Sequence, residues 1–203
     1  MTGNHILRSI SAIFHPLIMP IAGIIFYFAK SPRFIPEEII KAHLVSLTIL
    51  TIFLPILLYF LLKTIGKVKS IHLATTQERI IPLILNAIVI VLVIKRIIKP
   101  SQTVELYYFF VGILISNISC LALAFFKVKA SLHMVAVSGL FMFFIALGIH
   151  FSININGTLA LMSIITGALA TSRLHMNAHT YGELTMGVFI GVFPQLILVN
   201  YWL

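Results

Sequence analysis

The chain has no aspartate, one cysteine (Cys120), one tryptophan and little charge of either sign: only 9% of its 203 residues are Asp, Glu, Lys or Arg. A lone cysteine excludes an intramolecular disulfide and says nothing of the redox compartment. The shortage of charge, set against 60% hydrophobic residues and a mean hydropathy of +1.11, excludes a soluble domain, because a chain of this length could not hide so much apolar surface. The missing aspartate leaves five glutamates as the only acids, so carboxylate chemistry must fall to Glu. Internal repeats and soluble domains are absent as well.

What is there is a series of apolar runs of spanning length, at 9–29, 43–62, 80–98, 104–126, 132–151, 158–171 and 180–203. They predict an all-α fold, a polytopic transmembrane helical bundle of about seven (six to seven) spans forming a single integral membrane domain over residues 1–203. The first run is too long for the apolar core of a signal peptide and is interrupted by Pro16 and Pro20. The net charge of +9 would point to nucleic acid in a soluble protein. Here the cations sit in loops between apolar runs, where membrane topology and anionic headgroups favour them, so no nucleic-acid partner is expected. Gly187 and Gly191 have the GxxxG spacing of closely packed helices, a spacing that chance on a lipid-facing surface also produces.

The polar residues concentrate in Ser172-Arg173-Leu174-His175-Met176-Asn177-Ala178-His179-Thr180-Tyr181-Gly182-Glu183. In helical geometry His179 and Glu183 lie one turn apart. The carboxylate can accept the Nδ1 proton of His179 and leave Nε2 bare and directed outward. Arg173 offers a planar fork of donors suited to phosphate. Nucleophile, orienter and anion clamp are the parts of a phosphoryl-transfer site. The competing reading of such residues is as interfacial anchors at helix ends.

The pattern Ser-Arg, five residues, His, three residues, acid resembles the third signature of the type 2 phosphatidic acid phosphatase (PAP2) superfamily, with Glu183 where that family has Asp. Lys129-Ala130-Ser131-Leu132-His133 resembles its second signature, Pro-Ser-Gly-His, with Ser131 and His133 in register and Ala130 and Leu132 replacing Pro and Gly. The first signature is Lys, six residues, Arg-Pro; here His72 and Arg79 have that spacing, Lys69 lies one turn before His72, and Pro82 falls three positions after Arg79. The resemblance covers residues 72–183 and marks a divergent member. Two expected crossings separate Arg79 from His133 and two more separate His133 from Arg173, so all three would meet at one membrane face.

The resemblance implies a membrane lipid phosphatase, a phosphoric monoester or diphosphate hydrolase. His179 would attack phosphorus and form a phosphohistidine, Glu183 would orient it, and His133 would protonate the leaving group and later activate water. Arg79, Lys129, Ser131, Arg173 and His72 would hold phosphoryl oxygens. No metal or other cofactor is implied. The partner would be a lipid phosphate substrate in the bilayer, of the undecaprenyl diphosphate, phosphatidylglycerophosphate, phosphatidic acid or lipid A type. The family implies a bacterial inner membrane with the site at its outer, periplasmic face; the lysines and arginines outside the presumed site divide too evenly to fix sidedness. Two alternatives stand beside this. One is a non-enzymatic protein that binds or moves phospholipids on a degenerate phosphatase fold. The other is a histidine-ligated metal enzyme, in which His175 and His179 form an HxxxH pair on one helical face joined by His133. Oligomeric state is not legible.

Overall fold

The computed structural model describes residues 2–68 and 75–203, and among these every regular element is helical. The helices are α1 (Thr2–Ile13), α2 (Met19–Lys30), α3 (Glu37–Thr64), α4 (Thr76–Arg96), α5 (Val104–Phe125), α6 (Leu132–His150), α7 (Asn156–His175) and α8 (Tyr181–Val199). Six of them, α3 to α8, are long and apolar enough to cross a membrane, as in an integral membrane protein. The chain is thus the helical bundle that its apolar runs predict.

The run expected as a first span, 9–29, is two helices. Pro16 disfavours helical backbone at His15 and has no N–H to give, so α1 stops at Ile13. The chain restarts at Met19, with Pro20 in the first turn of α2, where a missing N–H costs nothing. At 12 residues α2 rises only about 18 Å. It nevertheless links the two ends of the bundle: His15, just before it, lies against His133 at the start of α6, and Tyr27 near its end donates to Glu105 at the start of α5. In α3 a π turn at Ile49–Phe53 precedes Pro55, absorbing the backbone bond that proline cannot make.

The central crossing is that of α6 with α8, and small residues make it close. A Cβ on Gly191 would fall on Ser138 Oγ and the Val135 carbonyl, and one on Gly187 would lie 2.7 Å from the Ser131 carbonyl oxygen. Ser138 Oγ bonds across to the Val188 carbonyl at 3.2 Å. The glycine spacing therefore marks a helix contact. Below it the core is aromatic, with Phe109 stacked on Phe143 at 4.2 Å and Tyr27, Phe110 and Leu147 fully buried.

Loops of two kinds close the ends. At the end formed by the starts of α4, α6 and α8, Lys127 and Asn177 take left-handed backbone (φ 59° and 50°) just beyond α5 and α7. Each lets the following amide bond back into its helix, Val128 N to Leu123 O and Ala178 N to Arg173 O, so the chain turns within a few residues. At the other end the fully buried Glu105 accepts from Arg33 at 2.6 Å, Tyr27 at 3.0 Å and His150 at 3.1 Å, which ties the segment after α2 to α5 and α6.

Candidate active site

Thr180 caps α8, its hydroxyl accepting from the Glu183 amide at 3.3 Å. The Glu183 side chain is therefore free to turn outward, and it accepts from His179 Nδ1 at 2.6 Å. His179 lies just before the cap, buried, with the hydrogen fixed on Nδ1 and Nε2 carrying the lone pair. Its pKa is pushed down to about 4, chiefly by burial; the Glu183 bond opposes this, and the charges of Lys129, Arg173 and Arg79 add to it. Nε2 is thus unprotonated at neutral pH, and three cations lie within electrostatic reach of it.

Two of those cations, Arg79 and Lys129, are held by main-chain carbonyls. Arg79, on the first turns of α4, donates through Nη1 to the Ala130 carbonyl at 2.7 Å. Lys129 donates through Nζ to the Ala178 carbonyl at 3.0 Å. Burial lowers the Lys129 pKa, as do the Arg79 and Arg173 charges, while Glu183 opposes them. The Ser131 amide donates to the Glu183 carbonyl at 3.1 Å, joining the start of α6 to the start of α8. Two buried polar atoms here, Ser131 Oγ and Arg173 Nε, have no hydrogen-bond partner among the described residues. An unpaired buried donor costs about 1–3 kcal/mol, and both belong to groups that bind anions well. Three cations face one carboxylate, so the site carries excess positive charge.

The structure therefore brings together Arg79, Lys129, Ser131, His133, Arg173, His179 and Glu183. His72 and Lys69 lie outside the described residues. Leu132, in the place of a glycine in the resemblance, packs against Leu83, Cys120 and Val135, so its side chain turns into an apolar cluster. His175 is the exposed last residue of α7, and the left-handed turn at Asn177 separates it from His179. The shared helical face that the HxxxH spacing predicts is therefore absent, and among the described residues no three His, Cys, Asp or Glu side chains form a metal-binding group.

Two contributors come from outside the signature region. The Ser11 carbonyl bonds His133 Nε2 at 3.2 Å, and the His15 ring meets the His133 ring edge to face, with centroids 5.5 Å apart. Burial and the Arg173 charge lower the His15 pKa. The only signals in the sequence were a serine and a histidine beside Pro16 in an apolar run. Ser172, beside Arg173, points to α1 and not to the cation cluster: its hydroxyl donates to the Leu7 carbonyl and pairs with Ser11 Oγ, both at 2.6 Å.

No protein-family model, curated protein or solved structure matches this chain.

Proposed function

We propose that this protein is a membrane lipid phosphatase of the type 2 phosphatidic acid phosphatase kind, acting through a phosphohistidine. The observation that carries the reading is the 2.6 Å His179–Glu183 pair, part-buried beside three cations. His179 Nε2 attacks phosphorus while the bond from phosphorus to the lipid oxygen breaks. His133 gives that oxygen its proton. Water then attacks the phosphohistidine, His133 takes a proton from it, and the P–N bond breaks to return His179 and release inorganic phosphate. Arg79, Lys129, Arg173 and Ser131 bind the phosphoryl oxygens, whose charge satisfies Ser131 Oγ and Arg173 Nε. The substrate keeps its tail in the bilayer and its phosphate at the headgroup level, and the site faces the periplasm from a bacterial inner membrane.

Phosphate release from a panel of lipid phosphates and diphosphates, with and without chelator, tests the reading. Chelator-resistant turnover and an acid-labile phosphoenzyme are expected in the wild type, with both lost in His179→Ala. Turnover by His179→Ala above a few per cent removes the nucleophile. Lipid binding without turnover in the wild type favours a degenerate phosphatase fold that binds phospholipid.

A further inference from the structure

We infer that α1 and the turn after it are part of the active site, with the Ser11 carbonyl serving His133 as Glu183 serves His179. The inference rests on the phosphatase reading and extends it to residues outside the signature region.

A carbonyl oxygen only accepts, so at 3.2 Å from Ser11 O the Nε2 of His133 carries a hydrogen. The nitrogen left to exchange a proton with substrate is Nδ1. His179 is the mirror case, held at Nδ1 and presenting Nε2. An acceptor at one ring nitrogen fixes the tautomer and favours the imidazolium that a general acid must be before it gives up its proton.

The carbonyl is itself held in place. Ser172 Oγ spends its one hydrogen on the Leu7 carbonyl, so in the 2.6 Å hydroxyl pair Ser11 is the donor and Ser172 the acceptor. Both serines are buried, and they pin successive turns of α1 to the end of α7 beside Arg173. His15 Nδ1 accepts from the Leu17 amide at 3.3 Å, which fixes its ring against that of His133. The groups facing His133 are thus Ser11 and His15 from the N-terminal segment, Arg173 from α7 and His179 from the turn after it. Ser11 and His15 are positioning residues that act through His133.

A general acid matters for a poor leaving group and hardly at all for a good one. The test compares dodecyl phosphate, whose alkoxide needs a proton, with p-nitrophenyl phosphate, whose phenolate does not. Replacing Ala12 by lactic acid turns the Ser11–Ala12 amide into an ester with a weaker carbonyl acceptor and changes no side chain. We expect kcat/KM, which covers phosphoenzyme formation but not the hydrolysis step that both substrates share, to fall about tenfold on dodecyl phosphate and less than about twofold on p-nitrophenyl phosphate. His15→Ala should show the same split, and His15→Phe, which keeps a ring against His133, should restore most of the alkyl phosphate rate. Equal losses on both substrates, or no loss on either, overturn the inference while leaving the phosphatase reading intact. Failure of the wild type on both substrates, or an active His179→Ala, sinks the phosphatase reading and this inference with it.

Discussion

Gly187→Ala tests whether the α6–α8 crossing sets the site. The new Cβ would lie 2.7 Å from the Ser131 carbonyl oxygen and 3.0 Å from Met134 Cβ, where ordinary contact begins near 3.4 Å. Relief of the tighter contact takes about 0.7 Å (3.4 less 2.7). The carbonyl cannot swing aside, because it accepts the first bond of α6 from the Val135 amide at 3.0 Å. The two helices must therefore part, at a point one turn from Glu183, whose own carbonyl accepts from the Ser131 amide. Overpacking of this kind costs ~1–3 kcal/mol. A catalytic group misplaced by about 1 Å can lose 100-fold in rate, so a loss of about ten- to fiftyfold is expected here. Gly167→Ala, on α7 with nothing within 4 Å of the added carbon, is the control and should gain up to ~1 kcal/mol from helix propensity. The assay pairs thermal midpoint, read by size exclusion after heating, with initial rate of phosphate release at a temperature where both variants stay folded. If Gly187→Ala matches Gly167→Ala in both, the crossing does not set the site.

Glu183→Gln keeps the shape but loses the charge that stabilises an imidazolium, so its rate of phosphate release should fall by at least about 100-fold, with Glu183→Asp in between. Glu105→Ala leaves Arg33, Tyr27 and His150 without the carboxylate they share and should cost ~3–5 kcal/mol, seen as a lower thermal midpoint, while the rate below that midpoint stays near wild type because the cluster lies at the opposite end from His179. The lowered pKa of His179, about 4, means the unfolded chain binds a proton below the ordinary histidine value of 6.5 that the folded chain refuses. Stability should therefore fall as pH drops through that window and level off below it; this slope, followed by thermal midpoint against pH, should be shallower in His179→Ala.

What could be read from the sequence was local. The His179–Glu183 pair needs only residues four apart, and its 2.6 Å bond forms although His179 stands before the cap of α8 and not on the helix itself. The six long apolar helices follow from run length alone. Long-range contacts left no such trace: Ser11 meets His133 across 122 positions and Ser172 across 161, and nothing in an apolar run says which turn will carry them. Composition also hid the break at Pro16, since the residues around it are as apolar as a span. The HxxxH spacing misled because Asn177 leaves the helix between the two histidines, at a left-handed turn taken by a non-glycine residue. For Gly187 and Gly191 the spacing was visible, but the face they occupy is decided by Ser131, Val135 and Ser138 on another helix.

The differences from the signatures that the sequence resembles have physical explanations in this chain. At 130 the site uses a main-chain carbonyl, bound by Arg79, so alanine can stand where the pattern has proline. At 132 the side chain leaves for the Leu83–Cys120–Val135 cluster, so a leucine need not crowd an anion beside Ser131. At 183 the backbone calls for the longer acid. Thr180, between His179 and α8, is extended (φ −85°, ψ 165°). An extended residue carries the chain off the helix, which sets His179 outside the turn that it would share with Glu183 in an unbroken helix. Glutamate's added methylene gives about 1.5 Å more reach than aspartate has. An aspartate at 183 would fall short of His179 Nδ1 by about that length unless the first turn of α8 shifted. That shift is resisted by the Thr180 cap and by the Ser131–Glu183 main-chain bond. Glu183→Asp should therefore keep the charge and lose the contact, and Thr180→Ala, which loosens the cap, should recover part of its rate. If Glu183→Asp is as active as wild type with Thr180 intact, the longer side chain is not what the extended cap requires.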